Sequence, residues 1–396
     1  MTEAVITGVG VIAPNGIGVD AYWSATLAGE SGIRPIDRFD AGGYPTTLAG
    51  TVPDFDAADC LPGRLRSQTD RYTQMALAAS AMALADAGVD PARVPSYEFG
   101  VVTASSTGGN EFGQHEMEKL WGGGPVPVSA YQSIAWFYAA STGQVSIRNG
   151  ARGPCDVVVA EQAGGLDALA HARRSLRAET TVMLVGGTEA PLSPYALVCQ
   201  MAGGRLSRSA DPRRCYLPFD PRAAGHVPGE GGAMLVVERR PAGSGSGYGT
   251  VAGHAATFDP APHTGRPPAL RRAIELALAD AGLGPADIDV VFADAAAIPE
   301  LDAAEVEALG AVFGPGGVPV TAPKTMTGRL NSGAGSLDVA TALLALRDGV
   351  IPPTVGVRAP PGLDLVTVRP RPAALRHALV LARGDGGFNS ALVLSR

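Results

Sequence analysis

The chain has 396 residues, more than one simple hydrophobic core usually holds, so we expect two domains or one large duplicated unit. Hydrophobic residues make up 46% of the chain and charged residues only 17%, which suits a compact α/β protein whose surface is partly covered by another subunit. The formal net charge of −7 argues against nucleic acid or an anionic membrane as the main partner, because no basic stripe is present to release counterions.

The cysteines and histidines form no metal-binding pattern in the sequence. Four cysteines occur without CxxC or CxxH spacing, and the six histidines are scattered. The N-terminus enters a strand at once, and no apolar run approaches the roughly 20 residues needed to cross a bilayer. We therefore expect a cytoplasmic protein without a metal or a membrane segment.

Strand and helix signals alternate along the first part of the chain. A strand is predicted at Ala4–Thr7, followed by a glycine-rich turn. The stretch Asp70–Gly88 predicts a helix, because its apolar residues recur at helical spacing between an Asp and a Gly. The other predicted elements are strands at Phe99–Ala104, Val157–Ala160 and Thr181–Val185, and helices at Glu111–Trp121, Ser133–Ile147 and Leu166–Arg177.

A linker separates this series from a second one. The segment PAGSGSGYG, residues 241–249, has the composition of a flexible connection. We therefore predict two halves, residues 1–240 and 250–396, that share an order of elements within one compact unit. The second half is predicted to contain strands at Thr250–His254 and Val290–Ala293, helices at Ala269–Ala281 and Ser336–Asp348, and a terminal strand–turn–strand. Such alternation favours parallel, buried sheets.

Two glycine-rich stretches resemble ligand-binding loops. GVGVIA, residues 8–13, has the spacing of a dinucleotide fingerprint, but Pro14, Asn15 and Gly16 interrupt the helix that such a site requires, so we interpret it as a turn. His226 lies in the loop AAGHVPGEGG and either lines a site or packs within the loop.

The stretch VVVAEQAGGLDAL, residues 157–169, predicts a buried strand, a tight turn and the start of a helix. Many enzymes present a nucleophile at such an elbow. Here the residue at the turn is Gln162, whose amide can neither attack nor titrate.

Four further motifs resemble those of the β-ketoacyl synthases, the condensing enzymes of the thiolase fold. They are ITGVGVIAPNG, CYLPFDPRAAGHVPGEGGAMLVVE, APKTMTGRLNSGAGSLDVA and GDGGFNSALVL, and together they extend over nearly the whole chain in the family's order. The resemblance implies an α/β thiolase fold in which duplicated βαβαβαββ halves form a five-layer αβαβα arrangement.

The chain departs from that family at the positions that carry its chemistry. The resemblance places Gln162 at the cysteine, Asp294 and Arg329 at the two histidines, and Asp385 at an apolar gate residue, whereas Lys324, Asp302 and Glu305 match. A carboxylate at position 294 would repel a substrate carboxylate, and an arginine cannot act as a neutral donor and acceptor. We therefore expect no catalytic residue in this chain.

A narrower resemblance is to the chain length factors, or ketosynthase beta subunits, of bacterial aromatic type II polyketide synthases. It rests on VVVAEQAGGLDA, YQSIAWFYAASTGQVSIRNG and EFGQHEMEKLWGGG. It implies a non-catalytic subunit in antibiotic biosynthesis, paired with a ketosynthase alpha subunit around a tunnel for the growing chain. The implied partners are that subunit and an acyl carrier protein, which brings the phosphopantetheine arm, so that no cofactor is bound to this chain.

The predicted helix at Glu111–Trp121 carries the residues that the resemblance assigns to the closed end of the tunnel. Asn110, Gly113 and Met117 lie at i, i+3 and i+7, on one helical face. Since Gly113 has no side chain, we expect room for a chain of about ten or more ketide units, from the volume argument for ligand cavities. The alternative is that Gly113 only permits close helix packing.

The main alternative function is enzymatic. A malonyl-carrier-protein decarboxylase that supplies acetyl starters needs oxyanion donors but no covalent intermediate, so Gln162 permits it. A condensing enzyme with another nucleophile is disfavoured, because the elbow holds no Cys or Ser.

Overall fold

The computed structural model describes residues 2–122, 128–243 and 247–396. The helices are α1 (Val19–Ala28), α2 (Gly63–Arg66), α3 (Arg71–Ala87), α4 (Asn110–Gly122), α5 (Gln132–Ala135), α6 (Ala140–Asn149), α7 (Gly164–Ser175), α8 (Pro194–Ala202), α9 (Leu270–Ala281), α10 (Pro299–Phe313) and α11 (Ser332–Asp348).

The strands of the first half are β1 (Thr2–Ala13), β2 (Gly16–Ile17), β3 (Ile33–Pro35), β4 (Leu48–Gly50), β5 (Phe99–Ala104), β6 (Cys155–Val158), β7 (Val182–Glu189) and β8 (Gly231–Pro241). Those of the second half are β9 (Gly249–Phe258), β10 (Val290–Phe292), β11 (Pro319–Thr321), β12 (Val350–Ile351), β13 (Asp364–Leu365), β14 (Arg371–Pro372), β15 (His377–Gly384) and β16 (Phe388–Ser395).

The two halves have the same sheet topology. In the first half the order is β6-β5-β7-β8-β1, and in the second it is β11-β10-β15-β16-β9. In each half the first three strands are parallel, the fourth is antiparallel to the third, and the fifth is antiparallel to both of its neighbours. A short pairing of β1 with β9 joins the two series into one continuous sheet. The duplication expected from the element order is therefore present in the strand order.

The core is arranged in five layers. Strand residues alternate between faces: Met183 and Val185 of β7 pack in the central cluster, whereas Val182 and Leu184 pack in the outer one beneath α3. The central cluster also contains α7 and α11, and α9 covers the outer face of the second half. The predicted αβαβα arrangement is confirmed.

The strand β1 is longer than predicted. It continues to Ala13, through the glycines that we interpreted as a turn, and that interpretation was wrong. A Cβ on Gly8 or Gly10 would lie 2.1 and 2.0 Å from the carbonyl oxygens of Ala83 and Ala79 on α3. The glycines are thus required by the close approach of helix and strand.

The helix predictions hold best where both ends are signalled. α3 has Asp70 as its N-cap, accepting from the Tyr72 N–H, and Gly88 in the left-handed conformation at its C-terminus. In contrast, the single helix predicted at Ser133–Ile147 is wrong. Residues 136–139 separate α5 from α6, and the Phe137 carbonyl accepts from the Tyr72 hydroxyl instead of continuing a helix.

The strand before the elbow is not buried as predicted. β6 lies at the end of the strand order, and Cys155 and Asp156 are exposed. Of the predicted linker, residues 244–246 lie outside the described residues. Within the described ranges, no helix is long and apolar enough to cross a membrane.

Candidate functional site at the elbow

The elbow is built by a sharp turn between β6 and α7. Glu161 has a φ of 50°, a value that few residues other than glycine adopt, and a single 3-10 turn, Glu161–Ala163, leads into α7. Gly165 lets α7 cross α11 in contact, because a Cβ there would lie 2.7 Å from the Ser336 nitrogen. The predicted pedestal is present and points into the interior between the halves.

Gln162 is buried at the top of this turn, where its amide meets the backbone of Asn331. In the orientation that satisfies both ends, the amide nitrogen donates to the Asn331 carbonyl at 3.1 Å and its oxygen accepts from the Asn331 N–H at 3.3 Å. Asn331 precedes α11 and has a φ of 47°, so two strained turns from the two halves face each other. Gln162 thus gives the Asn331 N–H an acceptor and adds a second donor to the Asn331 carbonyl, which also accepts from the Ala334 N–H at 3.0 Å.

Asp294 and Arg329 form a buried ion pair. Arg329 Nη2 lies 3.1 Å from Asp294 Oδ1, and Arg329 Nη1 lies 3.3 Å from Asp294 Oδ2. Arg329 also donates to the carbonyls of Asp294 and Arg383, at 3.1 and 3.0 Å. The Arg383 N–H donates to Asp294 at 2.8 Å. Burial opposes ionisation of Asp294, but Arg329, Lys324 and Arg383 outweigh it and hold the pKa of Asp294 below its ordinary value.

This pairing corrects the expectation for both residues. We expected Asp294 to be a free carboxylate that repels substrate and Arg329 to be a charged group in place of a neutral donor and acceptor. Each instead neutralises the other, and the Asp294 carboxylate raises the pKa of Arg329 despite burial. The positions of the two histidines are occupied by a closed ion pair that offers neither a base nor an unpaired charge.

Lys324 is engaged in a second buried ion pair. Its ammonium lies 2.7 Å from Asp338 Oδ2 on α11, and both side chains are about 5% exposed. Burial raises the pKa of Asp338, and the Lys324 charge opposes that rise. The sequence identified Lys324 but not its partner.

The two acids that match the family support the backbone of this site. Glu305 accepts from the Asp294 and Ala295 N–H groups at 2.7 and 2.9 Å, and Asp302 accepts from the Phe219 and Ala297 N–H groups at 2.7 and 3.0 Å. Burial raises the pKa of Glu305 to about 7 and that of Asp302 to about 6. They hold strained loops, since Phe219, Ala295 and Ala297 all have positive φ.

Glu161, directly before the elbow residue, bonds to the turn between β15 and β16. The Asp385 N–H donates to the Glu161 carboxylate. Burial raises the pKa of Glu161, while Arg329 and Arg205 oppose that rise. The Glu161 carboxylate therefore ties the elbow of the first half to the terminal glycine-rich turn of the second.

A cavity of about 720 Å³ opens beside these groups. His226 lines it, which settles the choice left open by the sequence, and Asp385 and Arg205 form an ion pair at its wall. Burial lowers the pKa of His226 to about 3, so the imidazole is neutral at physiological pH, and its Nδ1 has no hydrogen-bond partner. Arg329 is the only member of the Asp294–Arg329 pair among the lining residues.

The predicted tunnel residues lie on α4, away from the elbow. Asn110 begins the helix, Gly113 is buried and Met117 is 48% exposed. A Cβ on Gly113 would lie 3.1 Å from Trp136 Cδ1 and 3.4 Å from Gln132 Nε2. The helix-packing role of Gly113 is therefore present, because Trp136 fills the space that we expected to be empty.

Large apolar side chains are exposed on α4 and on the adjoining segment of residues 131–138. Trp121 is 77% and Trp136 50% exposed, and residues of this kind rarely cluster on the surface of a monomer. We call this surface the apolar face; its members are Met117, Trp121, Tyr131, Ile134, Trp136 and Phe137.

Residues 1–242 match the family described as "Beta-ketoacyl synthase, N-terminal domain", and residues 248–358 match "Beta-ketoacyl synthase, C-terminal domain". The chain belongs to the β-ketoacyl synthase family. It is 60% identical, over 99% of its length and 98% of the relative's, to the tetracenomycin polyketide synthase ketoacyl synthase beta subunit of Streptomyces glaucescens. It is thus a ketosynthase beta subunit of the type II polyketide synthases.

Two solved structures resemble this ketosynthase beta subunit closely. The ishigamide ketosynthase/chain length factor matches with a TM-score of 0.89 and 27% identity, over 99% of this chain and 98% of that one. A type II polyketide synthase acyl-carrier protein in complex with its ketosynthase bound to the hexaketide matches with a TM-score of 0.87 and 25% identity, over 99% of both chains. These two structural matches agree with the thiolase-like fold and with the family assignment.

Sequence reasoning missed several residues of this ketosynthase beta subunit's site. Glu161 and Asn331 contact residues more than 160 positions away, and Asp338 pairs with Lys324 in the turn before α11. No spacing rule in the sequence connects these partners. Only Glu161 carried a signal, as an acid directly before the elbow residue in a predicted turn.

Among the described residues, no group of His, Cys, Asp and Glu is arranged to hold a metal ion.

Proposed function

We propose that this ketosynthase beta subunit performs no condensation and acts by pairing with a catalytic ketosynthase subunit, where it shapes the tunnel that sets polyketide chain length. The proposal rests on two features: the polar groups of the elbow are paired within the chain, whereas the apolar face is exposed. The nucleophile position holds Gln162, the histidine positions hold the Asp294–Arg329 pair, and the Asp385 N–H is bonded to Glu161.

The apolar face supports a partner subunit. Interfaces are enriched in exposed aromatic residues and methionine, and the face contains Trp121, Tyr131, Trp136, Phe137 and Met117. The β6 strand gives a second feature, because it ends the sheet with one exposed edge that a strand of a partner can extend. Both features suit a heterodimer with a chain of the same fold.

The tunnel end is proposed to lie against α4. Met117 and Trp121 share one helical face with Asn110 and Gly113, and both are exposed. The Met117 side chain is flexible and smaller than an aromatic side chain. This supports the expectation of a long product, about ten ketide units or more.

The acyl carrier protein is the proposed source of the substrate. Its phosphopantetheine arm would deliver malonyl units to the catalytic subunit, and this chain would bind no cofactor of its own. A cytoplasmic setting is proposed on the same grounds, since carrier protein and partner subunit have to meet the chain there.

The test is a change of volume on the exposed side of α4. In the reconstituted pair, Met117→Phe should shorten the main product, because the added ring occupies the tunnel end without disturbing the contact between Gly113 and Trp136. The matched control is His115→Phe, on an exposed position about 200° away around the same helix. Product carbon number, measured by mass spectrometry, decides: equal products from both variants would contradict the proposal.

The decarboxylase alternative is tested with the chain alone. The Asp294–Arg329 pair argues against it, because decarboxylation requires stabilisation of an enolate and both side chains are engaged with each other. We expect malonyl-loaded carrier protein to keep its intact mass after incubation with the purified chain. Formation of acetyl-loaded carrier protein would establish the decarboxylase function instead.

A further inference from the structure

The first turn of α4 is fastened to the body of the protein by polar contacts at several points. The Phe112 N–H donates to Asp70 Oδ2 at 2.8 Å, and Asp70 is buried where it also caps α3. Two positions later, Gln114 Oε1 accepts from the Tyr195 N–H at the start of α8, at 2.8 Å. These bonds hold the helix on two sides, and a third polar contact holds its first turn.

That contact is made by Arg38, in the loop between β3 and β4. Arg38 Nη2 lies 2.5 Å from Glu111 Oε1 on α4, and Arg38 Nη1 lies 2.7 Å from Glu230 Oε2. One guanidinium therefore bridges two carboxylates from different parts of the chain. The planar fork of arginine allows such a bridge, whereas a lysine ammonium is a single point charge.

Glu230 is an immobile anchor for this bridge. Its side chain is fully buried and accepts from Arg71 Nε at 2.9 Å, Arg71 Nη2 at 3.0 Å and the Val52 N–H at 2.9 Å. Arg71 also donates to the carbonyls of Phe55 and Val52, at 3.1 and 2.7 Å. Buried Glu230 thus holds Arg38 in place, and Arg38 in turn holds Glu111.

The bridge lies near the residues of α4 that the resemblance assigns to the closed end of the tunnel. Glu111 precedes Gly113 by two positions and Met117 by six, a separation along the axis of about 9 Å at the helical rise. A rotation of the first turn would move the Met117 side chain across the apolar face and would also alter the contact between Gly113 and Trp136.

We propose that Arg38 is a positioning residue for chain-length control, because it fixes the rotation of α4 by bridging Glu111 to buried Glu230. This inference rests on the proposed function of α4 at the end of the tunnel. Without the bridge, polyketide extension continues but stops less uniformly. One main product then becomes a distribution of neighbouring chain lengths.

The experiment compares variants in the reconstituted pair supplied with malonyl-loaded carrier protein. For Arg38→Met we expect the ratio of the main product to its neighbours to fall about threefold, the range expected for one partly exposed ion pair. Total malonyl consumption should change little. Arg38→Lys keeps the charge and should give an intermediate ratio. The control is Arg271→Met, which removes the exposed Arg271–Glu275 pair on α9.

Glu111→Gln keeps the test decisive if Arg38→Met does not fold, because it breaks the bridge from the α4 side and leaves the Arg38–Glu230 pair in place. A purely structural role would lower the melting temperature without changing the product ratio, and that result in Glu111→Gln would overturn the proposal. Met117→Phe distinguishes failure of the Arg38 proposal from failure of the proposed tunnel function. If it shifts product length while Glu111→Gln does not, only the role of Arg38 fails. If neither has an effect, the proposed tunnel function fails as well.

Discussion

Side chains are buried and hydrogen-bonded or ion-paired at the elbow but exposed on the apolar face. At the elbow, Gln162, Asp294, Arg329 and Lys324 are buried and each is bonded within the chain. On the apolar face, Trp121 and Trp136 are large, aromatic and exposed. The first region retains the architecture of a catalytic site with its reactive groups replaced or paired, and the second presents surface that water covers poorly. The comparison indicates that the chain acts through shape at its surface.

The strongest test of the closed elbow is to remove one half of its ion pair. Arg329→Met should lower the free energy of unfolding by about 3–5 kcal/mol, because buried Asp294 would lose its direct ion-pair partner and keep only the weaker attraction of Lys324 and Arg383. The double variant with Asp294→Asn should recover much of that loss, since the charge is removed and the acceptor for the Arg383 N–H is kept. Denaturant unfolding midpoints measure both. Arg271→Met, on an exposed pair, is the control and should cost about 0.5 kcal/mol or less. A loss of that size for Arg329→Met would show that the elbow is not closed by this pair.

The open face is tested by its central aromatic residue. Trp136→Ser should weaken association with the catalytic ketosynthase subunit by about 2 kcal/mol or more, the effect of removing a hot-spot tryptophan. Tyr97→Ser is the matched control, because Tyr97 is an aromatic residue even more exposed than Trp136 but lies in the turn before β5, outside the apolar face. Sedimentation of mixed subunits gives both dissociation constants. Equal constants would remove the apolar face as the interface.

Buried carboxyl groups should make the stability of the protein depend on pH. Burial raises the pKa of Asp70, Glu189 and Glu305 to about 7, so the folded protein keeps protons that the unfolded chain releases near pH 4. Their contribution to stability is therefore lost as pH rises from about 4 to about 7. His226, with its pKa lowered to about 3, acts in the opposite direction up to about pH 6.5, but the carboxyls with raised pKa, which also include Asp302 at about 6, outnumber it.

We expect the free energy of unfolding to fall between pH 5 and pH 7, and Glu189→Gln to reduce that fall by removing one proton-binding group. Chemical unfolding at pH 5.5 and pH 7.5 compares the two proteins. A stability that rises over this interval would mean that these carboxyls are not protonated in the fold.

The smallest expected effect is the one that returns a nucleophile to the elbow. Gln162→Cys should form no acyl adduct and perform no condensation, because the Asp294–Arg329 pair supplies no base. Intact mass after incubation with acyl-loaded carrier protein detects an adduct. Appearance of one would show that the elbow is closed by its glutamine alone.

Local signals predicted much of the fold. The boundaries of β5 and α3 agree with the structure because apolar periodicity and caps act over a few residues. The break between α5 and α6 was missed, since the stretch of residues 136–139 has no proline or glycine, and the Phe137 carbonyl bonds instead to Tyr72, far away in sequence. β6 has an apolar sequence but ends the sheet, which no local pattern records.

The site shows the same limit. Gln162, Asp294, Arg329 and Lys324 were located by motif, but their partners were not, because a carboxylate and a guanidinium 35 positions apart carry no sign that they meet. Arg38 is the clearest case. It stands in an ordinary loop sequence, and only the fold brings it between Glu111 and Glu230.

The contact of α7 with α11 has a consequence for substitutions at the centre of the molecule. A Cβ on Gly165 would lie 2.7 Å from the Ser336 nitrogen, so even an alanine there would force the two helices apart. Exchange of an exposed side chain such as Met117 leaves this contact unchanged. Under the proposed function, product size can therefore be altered at the surface without repacking the centre.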